Sequence, residues 1–254
     1  MDHREHAAHP GGPCRVRLPR RLGGRGREFW VDTPDGGHVA IALDAHGRRV
    51  DSVTSNIGHL LGTGILAPDR VARVAEVLEQ PRLDSGFGLR TLASDSPRFS
   101  RLSYHGGTVW PHDTAIAVRG LAAEGRLDQA ARLARGLFTA AEGFGHRLPE
   151  LYGGDAAADV PLPSAYPAAC RPQAWSAAAP LAALVAASGL RVDVPAGTVL
   201  HPARVSAALG GYSLRGLRAG GRRLDVHVGH DGRVTVDLEG GELAIVQSEA
   251  SVPD

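Results

Sequence analysis

Apolar residues recur at helical spacing in four stretches of the chain. Val71, Val74, Val77 and Leu78 follow Asp69, which is placed to cap that helix, and Pro81 stops it. Ile116, Ala117 and Leu121 belong to a second helix, starting near Asp113 and ending at Gly125. The third carries Leu127, Ala130, Ala131, Ala134, Leu137, Phe138 and Ala141 in a near-continuous stripe, with Arg132 and Arg135 off it. A fourth opens on Pro172, bears Trp175, Ala179, Ala182 and Val185, and stops at Gly189. Pro180 inside it predicts a kink. Strand signals are sparser. Val39 to Leu43 is a short apolar segment between turn residues. From about Tyr212 the period changes: Leu224, Val226 and Val228 alternate with polar residues, Asp231-Gly232 turns the chain, and Val234, Val236 and Leu238 alternate again. That is a β-hairpin, and the segment from Gly241 to Val246 predicts one more short strand.

Composition narrows the class. The 254 residues carry a net charge of +1 and no Lys, so nucleic acid and anionic membrane surfaces are not expected partners. Cys14 and Cys170 are too few and too far apart for a disulfide framework, which points to a reducing cytoplasm. The N-terminus has no apolar core of the secretory kind. The most apolar run, Ala177 to Leu190, is shorter than the roughly 20 residues a membrane span needs. Residues 1–27 are rich in Arg, Gly and His without periodicity and read as a disordered arm. His3, His6 and His9 sit three apart there, but no carboxylate or Cys completes a tetrahedral set, so no metal and no cofactor are expected.

The chemistry-bearing residues concentrate in three loops. Tyr104 to Asp113 reads Tyr-His-Gly-Gly-Thr-Val-Trp-Pro-His-Asp, Leu148 to Tyr152 reads Leu-Pro-Glu-Leu-Tyr, and Tyr166 to Ser176 contains Cys-Arg-Pro-Gln-Ala-Trp-Ser. Aromatic rings that stack on apolar sugar faces, donors for hydroxyls and a lone carboxylate together suit a saccharide. Glu150 lies beside Pro149 in a loop that Gly153-Gly154 keeps non-helical. Asp113 reads equally as a helix cap or a sugar contact, and Trp110 as a core ring or a stacking platform. Gln173 and Trp175 carry the same double reading at the start of the fourth helix. Other chemistries fit less well. There is no Gly-x-Ser-x-Gly nucleophile elbow and, without Lys, no Walker loop. His59, His105 and His112 with Asp113 match no local zinc signature.

In wording and order these segments resemble the C-terminal half of the amylo-α-1,6-glucosidase (glycogen debranching enzyme-like) family of glycoside hydrolases, over about residues 29–220. The resemblance implies a mainly α fold: a partial (α/α) six-hairpin toroid over 28–210 and a small C-terminal β appendage over 211–254, after an unmatched arm at 1–27. It implies an α-glucan or oligosaccharide substrate and an inverting two-carboxylate mechanism with Glu150 as general base. Tyr104, His105, Trp110, His112, Asp113, Gln173, Trp175 and Arg90 fall at substrate-binding positions. The segment Ser55-Asn56-Ile57-Gly58-His59-Leu60 also matches, without a defined role. The family's general acid, an Asp in Gly-Trp-x-Asp, has no counterpart; Trp30-Val31-Asp32 has the spacing but lacks the Gly. The expectation is therefore a truncated glycosidase, inactive alone, with exposed apolar edges and a complementary N-terminal half as partner. The alternative is a non-catalytic carbohydrate-binding or partner-dependent half-barrel.

Overall fold

The computed structural model describes residues 28–241 and 243–248, so the arm with His3, His6, His9 and Cys14 lies outside the described residues. Four α-helices form where the 3.6-residue pattern runs: α1 (Pro68–Leu78), α2 (Pro111–Ala123), α3 (Leu127–Glu142) and α4 (Ala174–Ala187). Their starts differ from expectation. Ala67 holds the cap position of α1, with Pro68 preset at the first turn, so Asp69 acts on the helix dipole from inside that turn. Trp110 holds the cap position of α2, which puts Asp113 inside the helix and frees its carboxylate for other contacts. Helix α4 begins at Ala174 with Gln173 as its cap, two residues after the expected start at Pro172.

The expected mainly α toroid is overturned. Among the described residues the four helices are accompanied by ten strands in four small sheets, and the chain is mixed α/β. Strands β1 (Trp30–Val31) and β2 (His38–Val39) pair antiparallel around the Gly36-Gly37 turn, and β3 (Ala42–Leu43) pairs β4 (Arg49–Val50) across a turn at Asp44 and Gly47. Two-residue strands leave no alternation to read, which is why the pattern showed one apolar segment and not two hairpins. The C-terminal part adds β5 (Arg191–Asp193), β6 (Thr198–Pro202), β7 (Tyr212–Ala219), β8 (Arg222–Val228), β9 (Val234–Leu238) and β10 (Ala244–Ser248). Strands β7, β8 and β9 form an antiparallel sheet whose β8–β9 hairpin turns at Asp231-Gly232. Strand β10 crosses back to lie parallel to β6, which pairs antiparallel with β5.

Among the described residues, three apolar clusters hold these elements. Val74, Leu78, Leu121, Ala134 and Leu137 are fully buried in the first, which draws on α1, α2 and α3 and is joined by Ala179 and Ala183 of α4. Val199, Leu214, Leu224, Val226 and Val228 form the second, against Leu127 at the start of α3. Phe87, Val109, Phe144 and Tyr152 form the third, with Ala140 and Ala141 of α3. A short 3-10 helix, Ser55–Leu60, lies on α2. Its approach depends on missing side chains: a Cβ on Gly58 would stand 2.7 Å from the Ala117 Cβ, and one on Gly120 2.7 Å from that of Leu61. Among the described residues, no helix is long and apolar enough to cross a membrane.

Candidate active site

Loops, not helices, build the site, and a ladder of single bridges keeps them in register. Arg90 pairs with Val109, Val109 with Tyr152, and Tyr152 with Ala165, all antiparallel. The Val109 and Tyr152 amides exchange hydrogen bonds of 2.9 and 3.0 Å, and the buried Tyr152 hydroxyl donates to the Phe87 carbonyl at 2.6 Å. Trp110 follows one rung and Glu150 precedes the next by two residues, so the ladder fixes both side chains relative to one another. The Gly153-Gly154 pair acts here through close approach. Neither glycine has a positive φ. A Cβ on Gly154 would instead lie 1.8 Å from the Gly107 carbonyl oxygen.

Arg90 serves this frame. It is buried, its Nε donates to the Gly154 carbonyl at 2.7 Å and its Nη1 to the Pro81 carbonyl at 2.7 Å. Burial lowers its pKa against the opposing pull of Asp84. Its donors are engaged with backbone carbonyls rather than directed at the cavity beside Trp110.

Glu150 is 7 % exposed. The Tyr104 hydroxyl donates to its Oε1 at 2.8 Å and the Cys170 amide to its Oε2 at 3.3 Å. Its own amide donates to the Cys170 carbonyl at 2.9 Å, and the Ser176 hydroxyl donates to its carbonyl at 3.2 Å. The Tyr104 hydroxyl is the main cause that holds the Glu150 carboxyl below the ordinary range, with Cys170 and the Gln173 side chain adding to it and desolvation opposing. The same contact raises the Tyr104 phenol. Among the described residues no cation pairs with this carboxylate, and neutral donors hold both of its oxygens.

An aromatic wall adjoins it. Tyr104 meets Trp110 edge-on at 4.9 Å and His105 at 4.6 Å, His105 stacks on Trp110 at 5.3 Å, and Tyr166 leans on Tyr104 at 5.7 Å. The Trp110 Nε1 donates to the Tyr104 carbonyl at 3.0 Å, which pins the ring to its own loop. His112 stacks on Trp175 at 4.8 Å, and Trp175 is 46 % exposed, as a platform has to be. Burial lowers the His112 pKa, with Asp113, His59 and Glu150 all within electrostatic reach.

His105, Trp110, His112 and Asp113 line a cavity of about 340 Å³, closed on the other side by Ile41, Thr54, Ser55, Asn56 and Thr91. The lining mixes aromatic, hydroxyl and carboxylate groups. Asp113 Oδ1 lies 2.6 Å from His59 Nε2, off the line of a well-directed hydrogen bond, so the contact is best described as an ion pair. Asp113 Oδ2 and His112 Nδ1 are buried without partners. Larger openings of about 390, 420 and 430 Å³ lie elsewhere, but none is lined by a Phe, Tyr or Trp ring; in the first, His38 contacts Asp51 at 2.6 Å and Arg82 pairs with Asp95 at 3.0 Å.

Of the residues picked from sequence, Tyr104 and Gln173 act on Glu150 directly, His105, Trp110, His112 and Asp113 line the cavity, and Trp175 stacks on His112. Arg90 stands behind them. Asp32 is exposed in the β1–β2 connection and does not line the cavity. Tyr166, the Cys170 amide and His59 join the site without having been singled out for it; the first two lie in a quoted segment, and His59 in one with no defined role.

The sequence model of the family described as the mannosylglycerate hydrolase MGH1-like glycoside hydrolase domain matches residues 31–153. This segment is glycoside hydrolase-like. It runs from β1 to the loop just beyond Glu150, and so contains the cavity residues, Tyr104 and Glu150. The match supports a glycoside hydrolase but is not specific to the amylo-α-1,6-glucosidase type. No curated protein matches the chain significantly.

Proposed function

We propose that the cavity beside Trp110 holds the glycosyl unit of an α-glucoside, with an α-1,6 bond of glycogen or an oligosaccharide as substrate, and that Glu150 is the general base of an inverting hydrolysis. One observation carries this reading: the buried Glu150 carboxylate accepts from the hydroxyl of Tyr104, whose ring packs edge-on against Trp110 in the wall of the 340 Å³ cavity. In such a reaction Glu150 accepts a proton from water as the water oxygen bonds to the anomeric carbon, and the bond to the leaving oxygen breaks on the opposite face. The leaving oxygen takes a proton from a second carboxylic acid. Asp113 is the carboxylate that lines the cavity, but its pairing with His59 suits it to accept hydroxyls rather than to donate a proton. The acid would then come from a complementary partner segment.

The description of the matched family names mannosylglycerate, so α-mannosides belong in the assay beside α-glucosides. The exposed thiol of Cys170 fits a reducing, cytoplasmic setting. The decisive experiment compares wild type with Glu150→Gln for saccharide binding and for sugar release in the presence of the candidate partner. Gln keeps an acceptor for Tyr104 but cannot take a proton. Release should fall by about 10²–10⁴-fold with binding nearly unchanged. Equal release by the variant would remove Glu150 from the mechanism. A second reading, non-catalytic saccharide binding, is favoured by the engagement of Asp113 with His59; binding without release under every condition would establish it.

A further inference from the structure

His59 sits where two elements that wall the cavity meet. The 3-10 helix segment supplies Thr54, Ser55 and Asn56, and α2 supplies His112 and Asp113. Their apolar contact is set by Gly58 against Ala117 and by Leu61 against Gly120. Asp113, Ala117 and Gly120 are spaced i, i+4 and i+7 and therefore share one face of α2. His59, next to Gly58, reaches up that face by one turn to Asp113, at the end of the interface that opens into the cavity.

We infer that His59 is a positioning residue of the saccharide site, tying the 3-10 helix to α2 through Asp113 so that the cavity is tightest when the imidazole is protonated. The inference rests on the saccharide reading given above. The Asp113 contact is the main cause that raises the His59 pKa, with burial and Arg119 opposing. From α2, His59 faces Asp113, His112 and Arg119; α1, which packs on the same 3-10 helix, adds no charged group to those acting on it. The direction follows from a raised value. The tie is complete below the ordinary histidine value of about 6.5 and is lost as the pH rises through the higher folded one. A partly exposed pair of this kind supports an effect of about two- to fivefold.

The test has two readouts. The first needs no ligand: hydrogen exchange at the Leu61 amide, which bonds the Gly58 carbonyl, followed from about pH 6 to about pH 9 and corrected for intrinsic rates. Protection should fall about two- to fivefold over this range in wild type. It should be flat and low in His59→Gln, and high throughout in His59→Lys. The second is maltotriose affinity over the same range, which should follow the same profile in wild type and flatten in His59→Gln. Wild-type protection that does not change with pH overturns the inference whatever the saccharide does, and it requires no variant to fold. So does maltotriose affinity that is independent of pH in wild type. A pH-dependent tie with no maltotriose or mannoside binding at any pH sinks the saccharide reading, and with it the assigned purpose of the tie.

Discussion

The Tyr104 hydroxyl is the main group that lowers the pKa of Glu150, the residue proposed as the base. Its removal has a definite sign. A carboxyl whose folded pKa lies below its unfolded value of about 4.3 stabilises the fold above that pH, and the contribution is lost as the pH falls through the folded value. Tyr104→Phe should therefore raise the Glu150 pKa, and acid unfolding should begin at higher pH than in wild type. Carbon-13 NMR titration of the Glu150 carboxyl measures the first directly; an unmoved titration would show that the Cys170 amide suffices. Glu150 stood out because Leu-Pro-Glu-Leu resembles the base-bearing segment of the glycosidase family, whereas a lone Glu in a loop by itself reads as solvated. Its partners were not visible as partners. Tyr104 is 46 residues away, and only the Val109–Tyr152 rung brings the two loops together. The His59–Asp113 pair was hidden for a similar reason, because each residue also has an ordinary local reading.

At the scale of elements, the helices were legible wherever one face is buried and the other is not. The stripe of α3 maps onto Ala130, Ala134 and Leu137, all fully buried, and Leu137→Ala there would remove methyl groups that nothing else can replace. Helix starts were less legible, since Asp69 and Asp113 look like caps until Pro68 and Pro111 are seen to open the turns before them. Of β1 to β4 only the stretch from Val39 to Leu43 was legible, as one extended segment, and β5 and β6 were not, because hydrogen-bonded pairing rather than alternation defines them. The loop frame makes a sharper test. Gly154 touches the Gly107 carbonyl on one side and accepts from Arg90 on the other. In Gly154→Ala the new methyl group meets backbone, which cannot yield as a side-chain end can, so the Tyr104–Trp110 loop has to move. A loss of about 1–3 kcal/mol in stability is expected, with weakened saccharide binding. Denaturant unfolding and calorimetry check the two halves, and a variant as stable as wild type would show that the frame is softer than its contacts suggest.

For the molecule as a whole, the question is whether one carboxylate in the right place makes a glycosidase. The mixed α/β architecture buries Glu150 beneath Tyr104 near a cavity of about 340 Å³, and residues 31–153 carry the glycoside hydrolase-like match. A second carboxyl, protonated and facing the leaving oxygen, is the other requirement. Asp113 is held by His59, Asp32 is exposed away from the cavity, and Asp155 is fixed by Arg101 at 2.9 Å. Without an acid the departing sugar leaves as an alkoxide, and general-acid assistance is typically worth about 10²–10⁴-fold. Helix α4 carries no charged residue, Trp175 and Leu181 are exposed on it, and Gln173 at its cap acts on Glu150. The chain by itself is therefore expected to bind maltooligosaccharides and to release glucose at least about a hundredfold more slowly than it does with a partner that supplies the acid. A glucose-release assay with and without the product of the neighbouring gene measures this. Full turnover by the chain alone would mean that Asp113 or Asp32 is the acid, and Asp113→Asn and Asp32→Asn would then identify which.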